Sequence, residues 1–278
     1  MGNIRLLASS FFALTSLVAC GDDGGATTIV DSGIVDAPPI DNAPPIDQPP
    51  PITYDFTCST NTTPPAAAAT ITVSGTANEI TFNGLEPLVG AVVKACKGDC
   101  MDANLLATAT PNPTVAGGAF STGAMATTGG AAIDGYLLIT KSTHWPTRIY
   151  PFAPLTEDLL DVPTAMVTDA LVGQLGLAGI NQVDGNGIVA VLLSDCGTVP
   201  QGVGGAVVSV NVGSNEVGDD AFDASSFGDP TFAGVYLIPN VPPGDVVVKA
   251  SFNGTNFLEN TATVVADGLT GAQMRPGY

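Results

Sequence analysis

The chain has 278 residues, and its 26 acidic residues against 7 basic ones give it a formal net charge of −19. A surface this acidic is repelled by DNA, RNA and anionic lipid headgroups, which excludes nucleic-acid binding. Only 12% of the residues are charged, while Gly, Pro, Thr, Ala and Val are abundant, a composition typical of short strands and turns. Domains of ~150 residues are usual, so we expect one or two folded domains.

An export signal opens the chain. Its first residues carry one positive charge, on Arg5, and residues 6–18 are almost wholly apolar or small. This run is shorter than the ~20 apolar residues that cross a bilayer as a helix. A charged start followed by a short apolar run is typical of a secretion signal. We therefore predict a signal peptide at 1–19.

The signal ends in the four residues LVAC (17–20), which resemble the bacterial lipobox. The resemblance implies that the chain is cut before Cys20 and that its thiol carries a diacylglycerol. Two or three acyl chains anchor a protein stably where a single chain does not. We therefore expect a lipid-anchored protein of the bacterial cell envelope, in the outer membrane, that contacts the membrane through Cys20.

A proline-rich linker, predicted to be disordered, occupies residues 20–57. Its segment DAPPIDNAPPIDQPPPI repeats Ala-Pro-Pro-Ile-Asp twice. Proline lacks an amide donor and fixes φ, so this stretch favours polyproline II and cannot join a sheet. At ~3.1 Å per residue it is a semi-rigid spacer that reaches on the order of 100 Å.

Strand patterns begin at about Ala66 and fall into two sets. The first set comprises TITVSG (70–75), GAVVKAC (90–96) and DGYLLITK (134–141). The second comprises GIVAVLLSDC (187–196), GGAVVSVNV (204–212), GVYLIPNVPPG (234–244) and DVVVKASF (245–252). Residues 90–93, 118–120 and 135–139 align in order with 205–208, 234–236 and 244–248, at offsets of about 109 to 116 residues. This alignment favours two copies of one β domain.

Each copy resembles the carboxypeptidase regulatory-like domain, through Gly-Ala-x-Val, Gly-x-aromatic and Val-Pro-Pro-Gly-x-x-x-Val in that order. The second copy has the full pattern in YLIPNVPPGDVVVKA, whereas Ile133-Asp134-Gly135 replaces Pro-Pro-Gly in the first. The resemblance implies a transthyretin-like β-sandwich of about seven strands. We therefore predict an all-β fold of two tandem Ig/transthyretin-like β-sandwiches, at 58–156 and 185–278.

A connector at 157–184 separates the predicted sandwiches, and it contains one short helix at about 168–178. Thr168 is a suitable N-cap, Asp169 lies in the first turn, and Gly176 and Gly179 are suitable to end the helix. One side of this helix is apolar, with Leu171, Val172 and Leu175.

Four cysteines remain after Cys20, an even number that favours disulfides in an exported protein. A zinc site of four thiolates is the alternative, but such sites use paired C-x2-C, and the close pair here is C-x3-C. The spacing leaves open whether the two close cysteines pair together or one of them reaches further. The disulfide candidates are Cys58, Cys96, Cys100 and Cys196.

The residues needed for catalysis are largely missing. His144 is the single histidine, and metallohydrolases use several histidine ligands. Ser142 and Thr143 precede it on a predicted strand end, without the strained turn that exposes a nucleophile. We therefore predict that the protein is not an enzyme and needs no cofactor.

Two weaker candidates for ligand binding remain. The acidic loop at 215–229 supplies carboxylates that calcium prefers, and its central candidates are Asp219, Asp220 and Asp223, although a solvated loop is the simpler interpretation. The aromatic residues Trp145, Tyr150 and Phe152 either form a platform for a sugar ring or peptide, or belong to the core.

We expect a non-enzymatic surface lipoprotein with a structural, adhesive or partner-presenting role, whose protein or glycan partner is unknown. The alternative is a carbohydrate- or small-ligand-binding module, assisted by calcium.

Overall fold

The computed structural model describes residues 52–278, except 82–83, 177–178 and 228–231. The predicted signal peptide, Cys20 and residues 21–51 of the linker lie outside the described residues. From Ile52 to Tyr278 the chain clusters as one unit.

Strands dominate the described residues. The first half contains β1 (Thr70–Ile71), β2 (Val73–Thr81), β3 (Gly84–Pro87), β4 (Val92–Cys96), β5 (Leu105–Thr108), β6 (Ala119–Ser121), β7 (Met125–Ala126), β8 (Tyr136–Thr140), β9 (Thr147–Tyr150) and β10 (Leu159–Met166). Short 3-10 turns lie at Thr57–Thr60 and Asp102–Asn104.

Helix α1 (Asp169–Leu175) precedes the second set of strands. These are β11 (Gly187–Leu193), β12 (Val207–Val212), β13 (Asn215–Glu216), β14 (Phe222–Asp223), β15 (Val235–Val241), β16 (Gly244–Phe252), β17 (Thr255–Asn256), β18 (Asn260–Val264) and β19 (Leu269–Met274). A 3-10 turn lies at Ala224–Phe227.

The largest sheet has eight strands and draws on both halves of the chain. Its order is β14-β15-β11-β19-β9-β8-β4-β5, and the two halves meet at the parallel pair β9 and β19. There Gly271 lies opposite Ile149, and a Cβ at Gly271 would come 2.7 Å from Ile149 Cδ1. A glycine at this position therefore gives the Ile149 side chain its room at the junction.

The same strand pairings recur in the two halves. β4 pairs antiparallel with β8 as β12 does with β16, and β2 pairs antiparallel with β6 as β11 does with β15. The unusual parallel pair between β2 and β10 recurs between β11 and β19. Each half is thus a sandwich of similar pairing, and the eight-stranded sheet joins one sheet of each.

The two cores lie on opposite faces of the shared sheet, because side chains alternate along a strand. On β9, Ile149 packs into the first core with Val93 and Leu137, between the β4-β8-β9 strands and the β2-β6-β10 strands. The next residue, Tyr150, is in register with Ala272, which packs into the second core. That core lies between β11, β15 and β19 on one side and β12, β16 and β18 on the other.

Helix α1 covers the shared sheet on the side of the first core, beyond β10. Thr168 Oγ1 caps the helix by accepting a hydrogen bond from Leu171 N at 3.2 Å, and the helix ends at Gly176. Val172 packs in a small cluster with Trp145, Val167, Ile188 and Leu269. The predicted short helix and its cap are confirmed, over the shorter range 169–175.

The predicted all-β sandwich class is also confirmed. The boundaries at 58–156 and 185–278 stay a prediction, because strands on either side of them hydrogen-bond in one sheet. The sequence pattern did not indicate this junction, since alternation fixes the faces of a strand but not the neighbour at its edge.

Candidate functional site

The segment that follows the proline-rich linker is fixed to the second half of the fold. We name residues 54–61 the strap. Its Cys58 forms a disulfide with Cys196, which lies just beyond β11, with a Cα–Cα distance of 5.7 Å and 138 residues between the two in sequence. The strap was assigned on sequence to the linker and the start of the first sandwich.

A buried carboxylate organises the strap next to this disulfide. Asp195 is 1% exposed, and its Oδ2 accepts a hydrogen bond from Asp55 N at 3.0 Å. Its Oδ1 accepts hydrogen bonds from Gly197 N at 3.2 Å and Gln201 N at 2.8 Å. In return, Cys196 N donates to Asp55 O at 2.7 Å. Three backbone donors compensate for the burial of this charge.

Aromatic packing covers the strap. The Tyr54 ring lies edge-on to Phe252 with centroids 5.3 Å apart, and Phe56 packs against Phe252 and Phe257 at 5.8 and 6.2 Å. Tyr54 Oη accepts a hydrogen bond from Gly204 N at 3.1 Å. The strap therefore closes the end of the second core.

The C-terminus meets the strap at the same place. Tyr278 N donates to Asn61 O at 2.9 Å, and Asn61 Nδ2 donates to Tyr278 O at 3.3 Å. Both ends of the described chain are thus held at one end of the second half.

Hydrogen bonds from the backbone and side chain of Thr57 hold the pKa of Asp55 below its usual value.

The second disulfide is local. Cys96 pairs with Cys100, four residues on, with a Cα–Cα distance of 4.8 Å. The two disulfides settle the connectivity that the spacing left open, and all four cysteines of the zinc alternative are used. The hydroxyl of Tyr136 donates to Gly98 O inside this small loop at 2.8 Å.

A polar and aromatic surface lies beside this loop, and we name it the tyrosine face: Lys94, Tyr136, Leu138, Arg148 and Tyr150. The two tyrosine rings stack with centroids 5.0 Å apart, and the Arg148 guanidinium lies 5.0 Å from the Tyr136 ring centroid. Burial raises the pKa of Tyr136, and the charge of Arg148 opposes this shift.

The predicted aromatic platform is not formed. Trp145 is 7% exposed and donates from Nε1 to Asp169 Oδ1 at 2.7 Å, whereas Tyr150 stacks on Tyr136. Phe152 lies elsewhere, near Tyr278. Trp145 and Tyr150 are five residues apart in sequence, so strand alternation directs them to opposite faces.

A cleft of about 560 Å³ lies where α1 meets the loops before β11 and β19. Trp145 and Asp169 line one part of it, and Asn181, Asp184 and Asp267 line another. Asp267 Oδ1 accepts a hydrogen bond from Gly185 N at 2.8 Å, which leaves its second oxygen for a ligand. Clefts of ~300–1,000 Å³ are the usual size for small ligands.

The candidate calcium residues are not gathered into one coordination site. Asp219 Oδ2 accepts a hydrogen bond from Asn240 Nδ2 at 2.6 Å, and Asp223 Oδ1 accepts one from Ser225 N at 2.9 Å. Among the described residues, no group of three or more His, Cys, Asp or Glu side chains is placed to hold a metal ion. Calcium binding by Asp219, Asp220 and Asp223 stays a prediction.

His144 lies in the turn between β8 and β9, where it forms an isolated bridge with Thr168. Its Nε2 lies 3.2 Å from Glu79 Oε2, without the alignment of a hydrogen bond, and its Nδ1 lies 3.0 Å from Thr143 Oγ1. None of these three residues lines the cleft beside α1. The prediction that the protein is not an enzyme remains untested by this geometry.

Sequence reasoning missed the strap, Asp195 and the tyrosine face. The available signal was weak: Tyr54, Phe56 and Cys58 follow the last proline of the linker closely, in a segment otherwise poor in aromatic residues. In the part of the chain that the structure describes, no helix has the length and hydropathy to cross a bilayer.

No family model matches the chain, and no curated protein matches it by sequence. Among solved structures, it is similar to the minor pilin GBS52 of Streptococcus agalactiae, with 13% identity and a TM-score of 0.25 over 75% of this chain and 96% of that one. It is also similar to the TIE protein of Bacillus anthracis, with 12% identity and a TM-score of 0.21 over 74% of this chain and 34% of that one. A streptococcal ancillary pilin has 10% identity and a TM-score of 0.23 over 74% and 62% of the two chains. Scores this low carry no argument about function.

Proposed function

We propose that the protein is a non-enzymatic lipoprotein of the bacterial cell envelope. It displays two transthyretin-like sandwiches, of the carboxypeptidase regulatory-like type, at the end of a proline-rich spacer. Its role is structural, adhesive or partner-presenting. The observation that carries this proposal is the strap, because the spacer leads directly into a segment that is cross-linked to the fold by Cys58–Cys196.

The attachment suits a protein that is held by its N-terminus. A pull on the spacer reaches Cys58 and passes through the disulfide to Cys196, at the end of β11. β11 lies inside the eight-stranded sheet, between β15 and β19. Without the disulfide, the strap would be retained by separate hydrogen bonds and ring contacts, which can peel away one after another.

Metabolic labelling with a radioactive fatty acid tests the anchor. In the producing bacterium, the wild-type chain should take up label and sediment with outer membranes, and Cys20→Ala should do neither. Ser16→Ala, which alters the same segment but keeps the thiol, is the matched control. Equal labelling of wild type and Cys20→Ala would contradict the lipid anchor and leave the fold unaffected.

The second candidate function is binding of a small polyhydroxy ligand, and the cleft beside α1 is the observation that favours it. Asp184 and the outer oxygen of Asp267 are acceptors for sugar hydroxyls there. A screen of neutral oligosaccharides by thermal shift tests this function, with Asp184→Asn as the cleft variant and Glu259→Gln as a control away from the cleft. A shift equal in both variants would place the binding elsewhere.

A further inference from the structure

Charge is distributed unequally between the halves of the folded chain. Up to the end of β10, residues 52–166 contain four basic and nine acidic residues, whereas residues 167–278 contain two basic and eleven acidic ones. From 149 to 248 the sequence has no Lys or Arg at all. Both halves are net acidic, so attraction between two copies requires a local basic surface, and the first half contains most of the basic residues.

The tyrosine face is the basic part of the first half. Lys94 lies opposite Leu138 in the β4–β8 pair, and Leu138 lies opposite Arg148 in the β8–β9 pair. The three side chains therefore form a row across one face of the sheet, with one cation on each side of the leucine. All three are half-buried.

Within the described residues, neither cation of this row has an acidic partner. The close contacts there between basic and acidic side chains are His144–Glu79 and Lys249–Glu259. Asp99 is close enough to Tyr136 to influence its pKa, but the Asp99 carboxylate accepts hydrogen bonds from Met101 N and Asn104 Nδ2. The cations are thus available to a carboxylate from outside.

Arg148 shows the clearest sign of a missing acceptor. Its Nε is buried and has no hydrogen-bond partner among the described residues. Thr270, in register with Arg148 across the β9–β19 junction, is fully buried, and its Oγ1 also lacks a partner there. Buried polar atoms are normally paired, and Arg148 Nε therefore retains an unused donor that a water molecule or an outside acceptor can satisfy.

The acidic hairpin, residues 212–223, is the complementary part of the second half. Glu216, Asp219 and Asp220 are exposed, and Val212 at its base is 47% exposed. The hairpin ends in β14, at the edge of the shared sheet, six strands from β4. At ~4.8 Å per strand, β14 lies about 29 Å from β4 along the sheet, so the end of the hairpin does not lie beside Lys94 in its own molecule.

Direct pairing of strand edges between copies is a poorer explanation. Pro163 lies within β10, at the edge of the β10-β2-β3 sheet, where it offers no amide donor to a new strand. Contact through side chains needs no free backbone donor.

We propose that the tyrosine face binds the acidic hairpin of a second copy of this chain. Lys94 and Arg148 pair with its carboxylates, and Val212 packs on Leu138. Because the two surfaces differ, the contact is head-to-tail, and a dimer keeps one free tyrosine face and one free acidic hairpin, which extends the contact into rows. Single exposed pairs are weak, so the contact forms where copies are concentrated, as on a membrane. The proposal itself does not depend on the lipid anchor.

Zero-length carbodiimide cross-linking of the full chain tests it, with Cys20→Ala used to exclude association through lipid. At ~0.1 M salt, where long-range repulsion between acidic molecules is screened over ~10 Å, we expect intermolecular cross-links from Lys94 to Glu216, Asp219 or Asp220. Mass spectrometry of an equal mixture of isotope-labelled and unlabelled chains identifies them as intermolecular.

A charge exchange makes the test specific. Lys94→Glu/Arg148→Glu should reduce dimer formation at least tenfold, and so should Asp219→Lys/Asp220→Lys. Mixing these two variants should restore dimers, whereas Lys249→Glu should leave them unchanged. Thermal melts verify that each variant is folded. Three results would each overturn the proposal: an absence of Lys94 cross-links, no recovery on mixing, or binding of the polyanion alginate to the face without self-association.

Discussion

The two halves of the folded chain share their strand pairings and differ in how they are held. The core of the first half includes four alanines, Ala77, Ala91, Ala95 and Ala109, and its disulfide joins residues four apart. The core of the second half is rich in valine, and its disulfide joins residues 138 apart. The two halves thus share their arrangement of strands but are stabilised by different core residues and different disulfides. The second half is closed by distant parts of the chain, and the first relies on the shared sheet.

Removal of the long-range disulfide should have the largest effect. Cys58→Ser/Cys196→Ser should lower the free energy of unfolding by about 3–5 kcal/mol, because the cross-link closes a long loop in the unfolded chain. Cys96→Ser/Cys100→Ser, which opens a very short loop, should cost about 2 kcal/mol. Urea unfolding without reductant measures both. Equal losses would contradict the difference between the halves.

The junction between the halves is the next most sensitive point. Gly271→Val should destabilise the fold by about 1–3 kcal/mol, since a side chain there displaces the end of the Ile149 side chain within the first core. Hydrogen exchange should show faster opening in both halves. Gly173→Ala is the control, because a Cβ there meets nothing within 4 Å and alanine favours the helix by about 1 kcal/mol.

The cap of α1 should contribute less. Thr168→Ala removes the acceptor for Leu171 N and should cost about 1 kcal/mol. Trp145 is the single tryptophan and packs in the same cluster as Val172 of the helix, so its fluorescence reports on this region during unfolding. Thr143→Ala, in an exposed position nearby, should leave the midpoint unchanged. An identical midpoint for Thr168→Ala would show that the cap does not matter.

The smallest effect concerns the first half at alkaline pH. Burial raises the pKa of Tyr136 in the folded state, so the unfolded phenol ionises first as pH rises. The stability that this tyrosine contributes is complete below about pH 10 and is lost as pH passes through its raised pKa.

Tyr136→Phe removes the hydrogen bond to Gly98 O, at a cost of about 0.5–1.5 kcal/mol near neutral pH. The substitution should also reduce the loss of stability at alkaline pH. Part of that loss should remain, because burial raises the pKa of Tyr236 as well. Unfolding followed between pH 8 and 11 measures both effects. If the substitution leaves the pH dependence of the free energy of unfolding unchanged, other groups cause the loss of stability at alkaline pH.

Local signals predicted much of the fold. The apolar strand patterns in 90–96 and 187–196 indicated β4 and β11, and Thr168 indicated the start of α1, because each of these signals depends on a few neighbouring residues. The order of apolar and glycine positions also indicated the repeat. The candidate site was predicted less well: the sequence left open whether Trp145, Tyr150 and Phe152 form a platform or belong to the core, and alternation places Trp145 and Tyr150 on opposite faces.

By itself, the sequence determined the β class, the repeat, the short helix and the expectation of an export signal ending at Cys20. Each depends on a local pattern or on composition, which can be read without knowing the tertiary structure. Only the tertiary structure decided which cysteines pair, that the strap closes the second core, and that β9 and β19 join the two halves. Those features depend on residues more than a hundred positions apart, such as Cys58 and Cys196, whose approach is set by the packing of the whole chain.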